Sequence, residues 1–487
     1  MHDIFYRLIL LGALSSSPQM PFWATSGQYG LMPDTSGGVA MLQIGSQYDS
    51  EKTLQWKWGA SLAARSDDVR SFELIPDELY ASLRWWNLDL DAGFKRREQS
   101  YMAGGQMLGS LSSTGGNIVW SGNTRTIPGI SLSLRPTDIP FTKGHLQIMG
   151  SWGDYRTLDT RVIRDAWVHN LQAYIRLNAG PLRFTAGLDH NAVWAGYSDI
   201  YGKMPSGLRN YLRMSVGDSG GEDATLNDRY NVLGNQLGAE RFILEYISDD
   251  WTLTLQHDIP YDDRSGMRFQ NFPDGVNTIA FGLKDKTAWV SDVLYEYHYT
   301  MYQSGTRHDR PATDQEKASQ DPSIFHYGKI ILGGLDNYFN NGEYASGWTY
   351  FGRPIGNPLF YPTGSKDATW SRVGITRGVE NNRIKAHHFA LSGMIARCLP
   401  YKLMLTYSQN YGTYIIPYKG ESQAFKDWGS VRETPLIQWS GAFKMEIPLA
   451  HSRFTLLPSV YFDRGEVLGN SVAMTLGVSY SLRSLGL

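Results

Sequence analysis

Apolar and polar residues alternate along most of the chain in segments of about eight to twelve residues, the period of two typical of β-strands whose faces meet different surroundings. The last segment, residues 471–482, shows this most clearly, because its second face carries only small or hydroxylated side chains. Its apolar face consists of Val472, Met474, Leu476, Val478, Tyr480 and Leu482. The pattern predicts strands that present one face to an apolar environment.

The connections between these segments alternate in length. The apolar face continues through tight turns, for example at 178–181 and 248–250, whereas long polar stretches separate the hairpins. These stretches cover roughly 96–126, 190–236, 259–276, 302–330 and 411–435. Short periplasmic turns and long external loops are the arrangement of outer-membrane β-barrels. We therefore predict an all-β fold, a closed antiparallel transmembrane β-barrel in the outer membrane of a Gram-negative bacterium.

The strand count follows from the same pattern. About 19 segments fit a strand, and bacterial single-chain barrels prefer even numbers, which predicts about 18 strands. The region 330–380 alternates least regularly, and the segment before residue 50 fits either a plug or a strand. The polar side chains predicted to line a wet lumen are Gln172, Arg176, Glu296, His298, Lys444 and Glu446.

Composition narrows the classes of protein. The chain has 487 residues, with 45 Lys plus Arg against 47 Asp plus Glu, so no strongly basic surface for nucleic acid is expected. No run of about 18 apolar residues occurs, which excludes membrane-spanning helices. The aromatic content of 13% and the 51 glycines suit many strands with aromatic belts at the membrane interfaces.

The N-terminal segment has the order of a secretory signal. Arg7 precedes the apolar run 8–14, and small serine residues follow before Pro21. We predict a signal peptide over residues 1–20 and a single barrel domain over 21–487, including an N-terminal plug segment. The single cysteine, Cys398, cannot form an intrachain disulfide and is interpreted as a small apolar strand residue.

Motifs for chemistry are lacking. The sequence contains no P-loop, HExxH or GxSxG pattern. His387 and His388 are adjacent, so on a strand they point to opposite faces and cannot chelate one metal ion. We therefore predict no catalytic residues, no metal site and no cofactor, and a protein that is not an enzyme.

One segment, residues 336–353, is rich in Asn, Tyr and Trp. Aromatic faces stack on the C–H surfaces of sugars, and amide or charged groups bond to sugar hydroxyls. The composition therefore suits glycan binding, but aromatic and Asn-rich loops also pack and turn. Both interpretations stay open from chemistry alone.

Several motifs resemble the capsule assembly Wzi family, especially its Bacteroidota forms. They are Pro21-Phe22-Trp23, Gln28-Tyr29-Gly30, Ser121-Gly122-Asn123 with Arg125 and Pro128-Gly129, Tyr295-Glu296-Tyr297 with Thr300 and Gln303-Ser304-Gly305, Asn340-Asn341 through Ser346-Gly347-Trp348-Thr349-Tyr350, and Gly356-Asn357-Pro358. The resemblance implies an 18-stranded barrel with a small helical plug on the periplasmic side. It also implies a lectin without enzymatic activity that helps to attach capsular polysaccharide to the cell surface.

Carried onto this chain, the resemblance suggests glycan contacts at Asn337, Asn341, Tyr344, Trp348 and Arg353. The expected partners are a capsular or extracellular polysaccharide and outer-membrane lipid, with no nucleic acid, and the expected state is a monomer. Two alternatives remain, an outer-membrane porin or transporter and, with less support, an outer-membrane hydrolase. The identity of the polysaccharide and the state of the lumen, open or plugged, are left undetermined.

Overall fold

The computed structural model describes most of the chain. The described residues are 4–49, 51–68, 71–97, 105–225, 228–229, 232–262, 269–305, 310–311, 313–318, 324–325, 330–331, 336–362, 378–414 and 434–484. In this part of the chain, no helix combines the length and the apolar character that crossing a membrane requires.

Eighteen antiparallel strands form one closed wall, which confirms the predicted fold and strand count. They are β1 Ile4–Ser15, β2 Gly37–Ser46, β3 Leu54–Asp67, β4 Glu73–Trp85, β5 Leu88–Phe94, β6 Gly129–Asp138, β7 Leu146–Arg156, β8 Trp167–Ala179, β9 Leu182–Trp194, β10 Asn235–Ile247, β11 Trp251–Tyr261, β12 Gly275–Leu283, β13 Asp292–Tyr299, β14 Ile384–Ile395, β15 Leu399–Asn410, β16 Leu436–Met445 with its continuation Ile447–Pro448, β17 Phe454–Gly465 and β18 Ser471–Ser484.

The first strand closes the wall. Strand β1 pairs with β2, from Ile4 opposite Ser46, and with β18, from Ile4 opposite Ser484, so no wall strand leaves an unpaired edge in lipid. Residues 4–15, which the sequence suggested as part of a signal peptide, thus lie in the barrel wall. The physical reason is that β1 is apolar on both faces, because its inward residues Ile9 and Leu11 are also apolar. Such a run lacks the period of two and resembles the apolar core of a signal peptide.

The faces of the strands agree with the sequence pattern. In β18, Leu476 is 61% exposed on the outside, whereas Thr475 is 4% exposed on the inside. The same alternation holds in β14, where His388 is buried inside and His387 lies outside, bonded to the Tyr295 hydroxyl at 2.8 Å. The outward apolar residues form a belt around the barrel, as expected for an outer-membrane protein.

The two ends of the barrel differ in their connections. At one end, here called the turn end, lie the connections 47–53, 86–87, 139–145, 180–181, 248–250, 284–291, 396–398 and 449–453. The connections 16–36, 68–72, 95–128, 157–166, 195–234, 262–274, 300–383, 411–435 and 466–470 begin and end at the other end of the strands, the loop end. By the usual arrangement of these barrels, the turn end faces the periplasm and the loop end faces outward. Cys398 lies in an exposed turn at the turn end rather than in a strand.

The long connections contain the remaining elements. The helices are α1 Phe22–Thr25, α2 Gly105–Leu111, α3 Leu208–Ser215 and α4 Asp314–Ala318. The short strands outside the wall are Ile163–Arg164, Tyr197–Ser198, Gly202–Lys203, Arg310–Pro311, Ile324–Phe325, Ile330–Ile331, Thr349–Tyr350 and Arg353–Pro354. Within the irregular region 330–380, residues 332–335 and 363–377 lie outside the described part.

Three connections fold from the loop end into the lumen. We call the described residues 20–35, 105–128 and 336–361 the loop layer, because their buried side chains join one hydrophobic core. The N-terminal part reaches the wall through Trp23, whose indole Nε1 donates to Thr406 Oγ1 at 3.0 Å. Helix α2 extends into the turn-end half, where Lys402 Nζ donates to the carbonyl of Ser110 at 2.6 Å. A helical plug near the periplasmic side is therefore present, and it enters from the opposite end.

Candidate binding site in the barrel lumen

The two asparagines suggested for glycan contact hold local turns. Asn341 Oδ1 accepts hydrogen bonds from the backbone N–H groups of Glu343 and Tyr344, both at 2.9 Å. Asn337 Oδ1 accepts from the side-chain amide of Asn382 at 2.6 Å. These contacts satisfy the amide oxygens within the protein, as side chains in turns commonly do.

The other three suggested contacts are buried in or against the loop layer. Trp348 is fully buried and its Nε1 donates to the carbonyl of Val119, while the Tyr344 hydroxyl donates to the carbonyl of Ala195 at 3.3 Å. Arg353 forms a buried ion pair with Asp34. In this conformation the aromatic residues offer no free face to a sugar, and all five residues pack or turn the loops. Their part in glycan binding stays a prediction.

A buried carboxylate fastens the loop layer to the wall. Glu296 of β13 accepts hydrogen bonds from Ser112 Oγ at 2.5 Å, and from the Ser113 backbone N–H and hydroxyl at 2.9 and 2.6 Å. His298 Nε2 lies 2.9 Å from the same Ser113 hydroxyl. Hydrogen bonds to an ionised acceptor are roughly twice as strong as neutral ones. These bonds fix the segment that follows α2.

A second set of contacts holds the next residues. Asn117 donates to Asp189 Oδ2 of β9 at 2.7 Å, and Gln256 Nε2 donates to the carbonyl of Gly116 at 3.1 Å. Arg241 also donates to this carbonyl while it pairs with Asp258 at 3.0 Å. The segment 112–117 is therefore bound to β9, β10, β11 and β13, on one side of the wall, and these contacts fix its depth in the barrel.

Ser113, His298 and Glu296 are the residue types of a hydrolase triad, yet their arrangement differs from one. A triad needs the histidine between the serine and the acid, with the acid on the second ring nitrogen. Here the acid bonds directly to the serine, and His298 Nδ1 lies 3.3 Å from the amide nitrogen of Asn357. The geometry is that of a structural anchor, and the absence of enzymatic activity stays a prediction.

Beneath the loop layer lies a cavity of about 800 Å³, here called the basic chamber. Some of its wall residues lie near the turn end of their strands, as with Lys57 in β3, Arg84 in β4 and Lys444 in β16, whereas Gly129 of β6 and Tyr155 of β7 lie near the loop end. Loop-layer residues, among them Tyr29 and Trp120, line it on the side of the loop end. The chamber therefore extends from the turn-end half of the lumen along β5, β6 and β7 toward the loop end.

Cations dominate the lining of the chamber. The cationic residues are Lys57, Arg84, Lys95, Arg96, Arg97, Arg125, Arg135, Lys402 and Lys444. Two lining residues, Asp89 and Asp91, carry carboxylates. Two more carboxylates, Asp77 and Glu73, pair with Arg96 and Arg125 at 2.6 Å. The cations remain in excess after all four are counted, so the chamber attracts anions.

Some of these cations are held by carboxylates and others are not. Arg84 donates to both oxygens of Asp89, at 2.6 and 2.8 Å. Lys402 and Lys444 lie directly opposite each other on β15 and β16, and neither takes part in an ion pair among the described residues. Like charges opposite each other on neighbouring strands repel, and an anion between the two ammonium groups would relieve this repulsion.

Aromatic rings support the arginines of the chamber. The guanidinium of Arg97 lies 4.3 Å from the ring centre of Trp120, and that of Arg96 lies 4.0 Å from the ring centre of Tyr29. Stacking of this kind stabilises a cation and fixes its direction. In the loop layer, burial lowers the pKa of Arg125 below its usual value, and the hydrogen bond to Glu73 opposes this shift. The chamber is thus a preformed set of donors.

Sequence reasoning found only part of this site. Gln172 and Lys444, predicted to face the lumen, line the chamber, while Glu296 and His298 anchor the loops. Arg176 is buried inside the wall, and Glu446 lies exposed at the turn end. The other cations come from positions far apart in the chain, and no linear spacing signals that they meet.

Comparisons with known proteins give a structural likeness without a family assignment. No family model matches the chain, and no curated protein matches it. Similar solved structures include OccK5 (OpdH) of Pseudomonas aeruginosa, with a TM-score of 0.47 and 8% identity over 99% of this chain and 98% of that one. OccAB2 of Acinetobacter baumannii has a TM-score of 0.46 and 10% identity over 99% and 98% of the chains. At such values the likeness carries no functional assignment.

Proposed function

We propose that this protein is an outer-membrane channel or transporter for small anionic solutes. The observation that carries the proposal is the basic chamber, a cavity of about 800 Å³ inside a closed barrel with nine cations and two carboxylates in its lining. A cavity of one charge sign with low-dielectric walls concentrates counter-ions. Its volume suits a solute of small organic size.

The loop layer implies that passage is gated. It lies between the chamber and the loop end and is fastened to the wall through Glu296 and Asp189. A solute that enters from outside must therefore displace part of the loop layer or pass through a transient opening. We expect brief openings rather than a steady large conductance.

The test is ion selectivity in planar bilayers together with solute flux into liposomes. Under a potassium chloride gradient, the reversal potential should show preference for chloride over potassium. Succinate, a small dianion, should enter liposomes that contain the protein faster than neutral glycerol of similar size. Cation preference, or equal entry of succinate and glycerol relative to empty liposomes, would contradict the proposal.

The second candidate is the polysaccharide-anchoring role that the motif resemblance implies. The observation in its favour is the dense loop layer, because a lumen filled with loops suits attachment better than conduction. Since Trp348 and Tyr344 are buried, sugar contacts would lie elsewhere on the surface. A strain that lacks the protein should then shed surface polymer into the medium, whereas a pure transport role predicts unchanged retention.

A further inference from the structure

Strands β7 to β11 carry polar side chains on the outside of the barrel near the loop end. They occupy the same alternate positions of their strands as exposed apolar residues, such as Phe184 and Leu188 of β9, and therefore point away from the lumen. The residues are Asp154, His169, His190, Glu240, His257 and Tyr261. Bare exposure of such groups to hydrocarbon would be costly. Another segment must therefore shield these polar groups from lipid.

The connection 195–234 supplies one part of the cover. The Tyr211 hydroxyl of α3 donates to Asp154 Oδ2 at 2.7 Å, and the Trp152 indole Nε1 donates to that hydroxyl at 2.6 Å. Met214 packs with Ala192 and Trp194 on the outer face of β9. Helix α3 therefore lies on the outside of the wall, in contrast to the loop layer, which lies inside.

A second segment, residues 269–274, covers the neighbouring strands. The ring of Phe269 lies 6.1 Å from that of Phe242 on β10, and the ring of Phe272 lies 6.3 Å from that of His257 on β11. Both wall residues belong to the outward face. We call residues 208–216 and 269–272 together the outer collar.

The outer collar reverses the polarity of the surface beneath it. Leu208 and Leu212 of α3 and Val216 just after it follow one another at intervals of four, and they are 74%, 55% and 74% exposed. This spacing places them on one side of a helix, away from the buried Met214. Phe269 and Phe272 are also exposed. The wall is polar here, and its cover presents an apolar face.

We propose that the outer collar binds anionic lipid of the outer leaflet, with acyl chains on the apolar stripe and lipid phosphates at Arg209 and Arg213. The stripe continues the lipid-facing belt, because α3 covers the loop-end part of β9 directly above the exposed Leu188. Arg209 is exposed beside Leu208, and Arg213 follows Leu212. A basic amphipathic helix of this kind lies in the membrane interface. The proposal is independent of what passes through the lumen.

The test is the accessibility of a spin label in bilayers that contain phosphatidylglycerol. Cys398 is first replaced by serine, and Leu212→Cys then provides a single labelling site on the stripe. Glu222→Cys, an exposed position in the same connection, serves as the matched control. The label at position 212 should be several-fold more accessible to oxygen, relative to a water-soluble nickel reagent, than the label at 222.

The result has three distinguishable forms. Preferential oxygen access at position 212, repeated with Leu208→Cys, supports lipid contact. Equal access of both reagents at 212 and 222 overturns it, because the collar then faces water. Low access of both reagents with dipolar broadening between labels also overturns it and indicates that a second copy of the chain covers the stripe. A heat-shift gel for barrel folding is run on each variant.

Discussion

The carboxylate of Glu296 accepts hydrogen bonds from both the hydroxyl and the backbone N–H of Ser113, a residue 183 positions earlier in the chain. The pair joins the loop layer to β13 in the middle of the barrel. Each partner is buried, so neither can exchange the other for bulk water without a movement of the loops. Displacement of this part of the loop layer therefore requires these hydrogen bonds to break.

Glu296→Ala should loosen the loop layer and increase conductance. The change leaves the buried hydroxyls of Ser112 and Ser113 without their acceptor and should cost roughly 3 kcal/mol of stability in the loop layer. We expect longer or more frequent openings in planar bilayers and faster amide exchange over residues 105–118. Asp249→Ala, in an exposed turn, is the control. Unchanged exchange and conductance would show that Glu296 does not hold the loops.

Removal of two chamber cations should weaken anion binding. Lys402→Gln combined with Lys444→Gln keeps a polar side chain, one atom shorter than that of lysine, but removes two facing charges, each worth about 1–2 kcal/mol for a bound anion. Succinate affinity or flux should fall roughly tenfold or more, and chloride selectivity should decrease. Arg183→Gln, on β9 outside the chamber lining, should change neither quantity. Equal effects of the double variant and the control would argue against binding in the chamber.

The assignment of outward and inward residues in β6 can be tested with two neighbouring positions. Leu132 is exposed on the outer belt, whereas Ser133 lines the basic chamber. Leu132→Arg should therefore destabilise the folded barrel in lipid by about 2 kcal/mol, and Ser133→Arg should cost much less. Reversible denaturant unfolding in bilayers measures both variants. A similar loss of stability in the two would mean that the assigned faces are wrong.

The loops should be held more firmly at low pH. Burial, together with the charge of Glu343, raises the pKa of Asp228 to about 7, and burial raises that of Asp274 to about 6. When folding raises the pKa of a buried carboxyl, the protonated carboxyl stabilises the folded state. This stabilisation is complete below about pH 4, near the pKa in the unfolded chain, and is lost as the pH rises through the pKa in the folded state. Amide exchange near 228–234, corrected for intrinsic rates, should therefore be slower at pH 5 than at pH 8.

Asp228→Asn should reduce this pH dependence, since the amide does not ionise. Asp285 provides the control, because hydrogen bonds from Thr287 lower its pKa and it is exposed in a turn. Asp285→Asn should leave the difference between pH 5 and pH 8 intact. The same pH dependence in the Asp228 variant would assign the effect to another group.

The first strand provides a prediction about the mature protein. Because β1 closes the barrel between β2 and β18, residues 4–15 should be retained in protein extracted from outer membranes. Deletion of these residues should prevent the heat-shift that marks a folded barrel, whereas deletion of the exposed residues 199–201 of a loop should not. Mass spectrometry that places the mature N-terminus after residue 16 would contradict the role of β1.

The wall was predictable because each strand reports its own environment. In β18, outward apolar residues such as Leu476 alternate with inward small or polar residues such as Thr475. The tight turns at 180–181 and 248–250 identify hairpins from local sequence alone. The same reasoning fails for β1, where the inward Ile9, Leu11 and Ala13 are apolar like the outward residues beside them.

The chamber and the outer collar could not be predicted in the same way. The lining of the chamber is determined by which strands are neighbours in the closed barrel. Lys57, Arg135 and Lys402 line the same cavity, but nothing in the local sequence around them indicates this. On β9, the outward His190 interrupts the apolar face, and the pattern therefore predicts a loop from about residue 190, whereas the strand continues to Trp194. Outward polar residues that another segment covers thus have the same sequence pattern as the start of a loop.

Cys398, the single cysteine, lies exposed in the turn 396–398 at the turn end. A thiol reagent that cannot cross the outer membrane should leave it unmodified on intact cells and modify it once the periplasm is opened. The unaltered protein thus contains its own reporter of sidedness, and the same residue can reveal which way each molecule has inserted in a reconstituted vesicle.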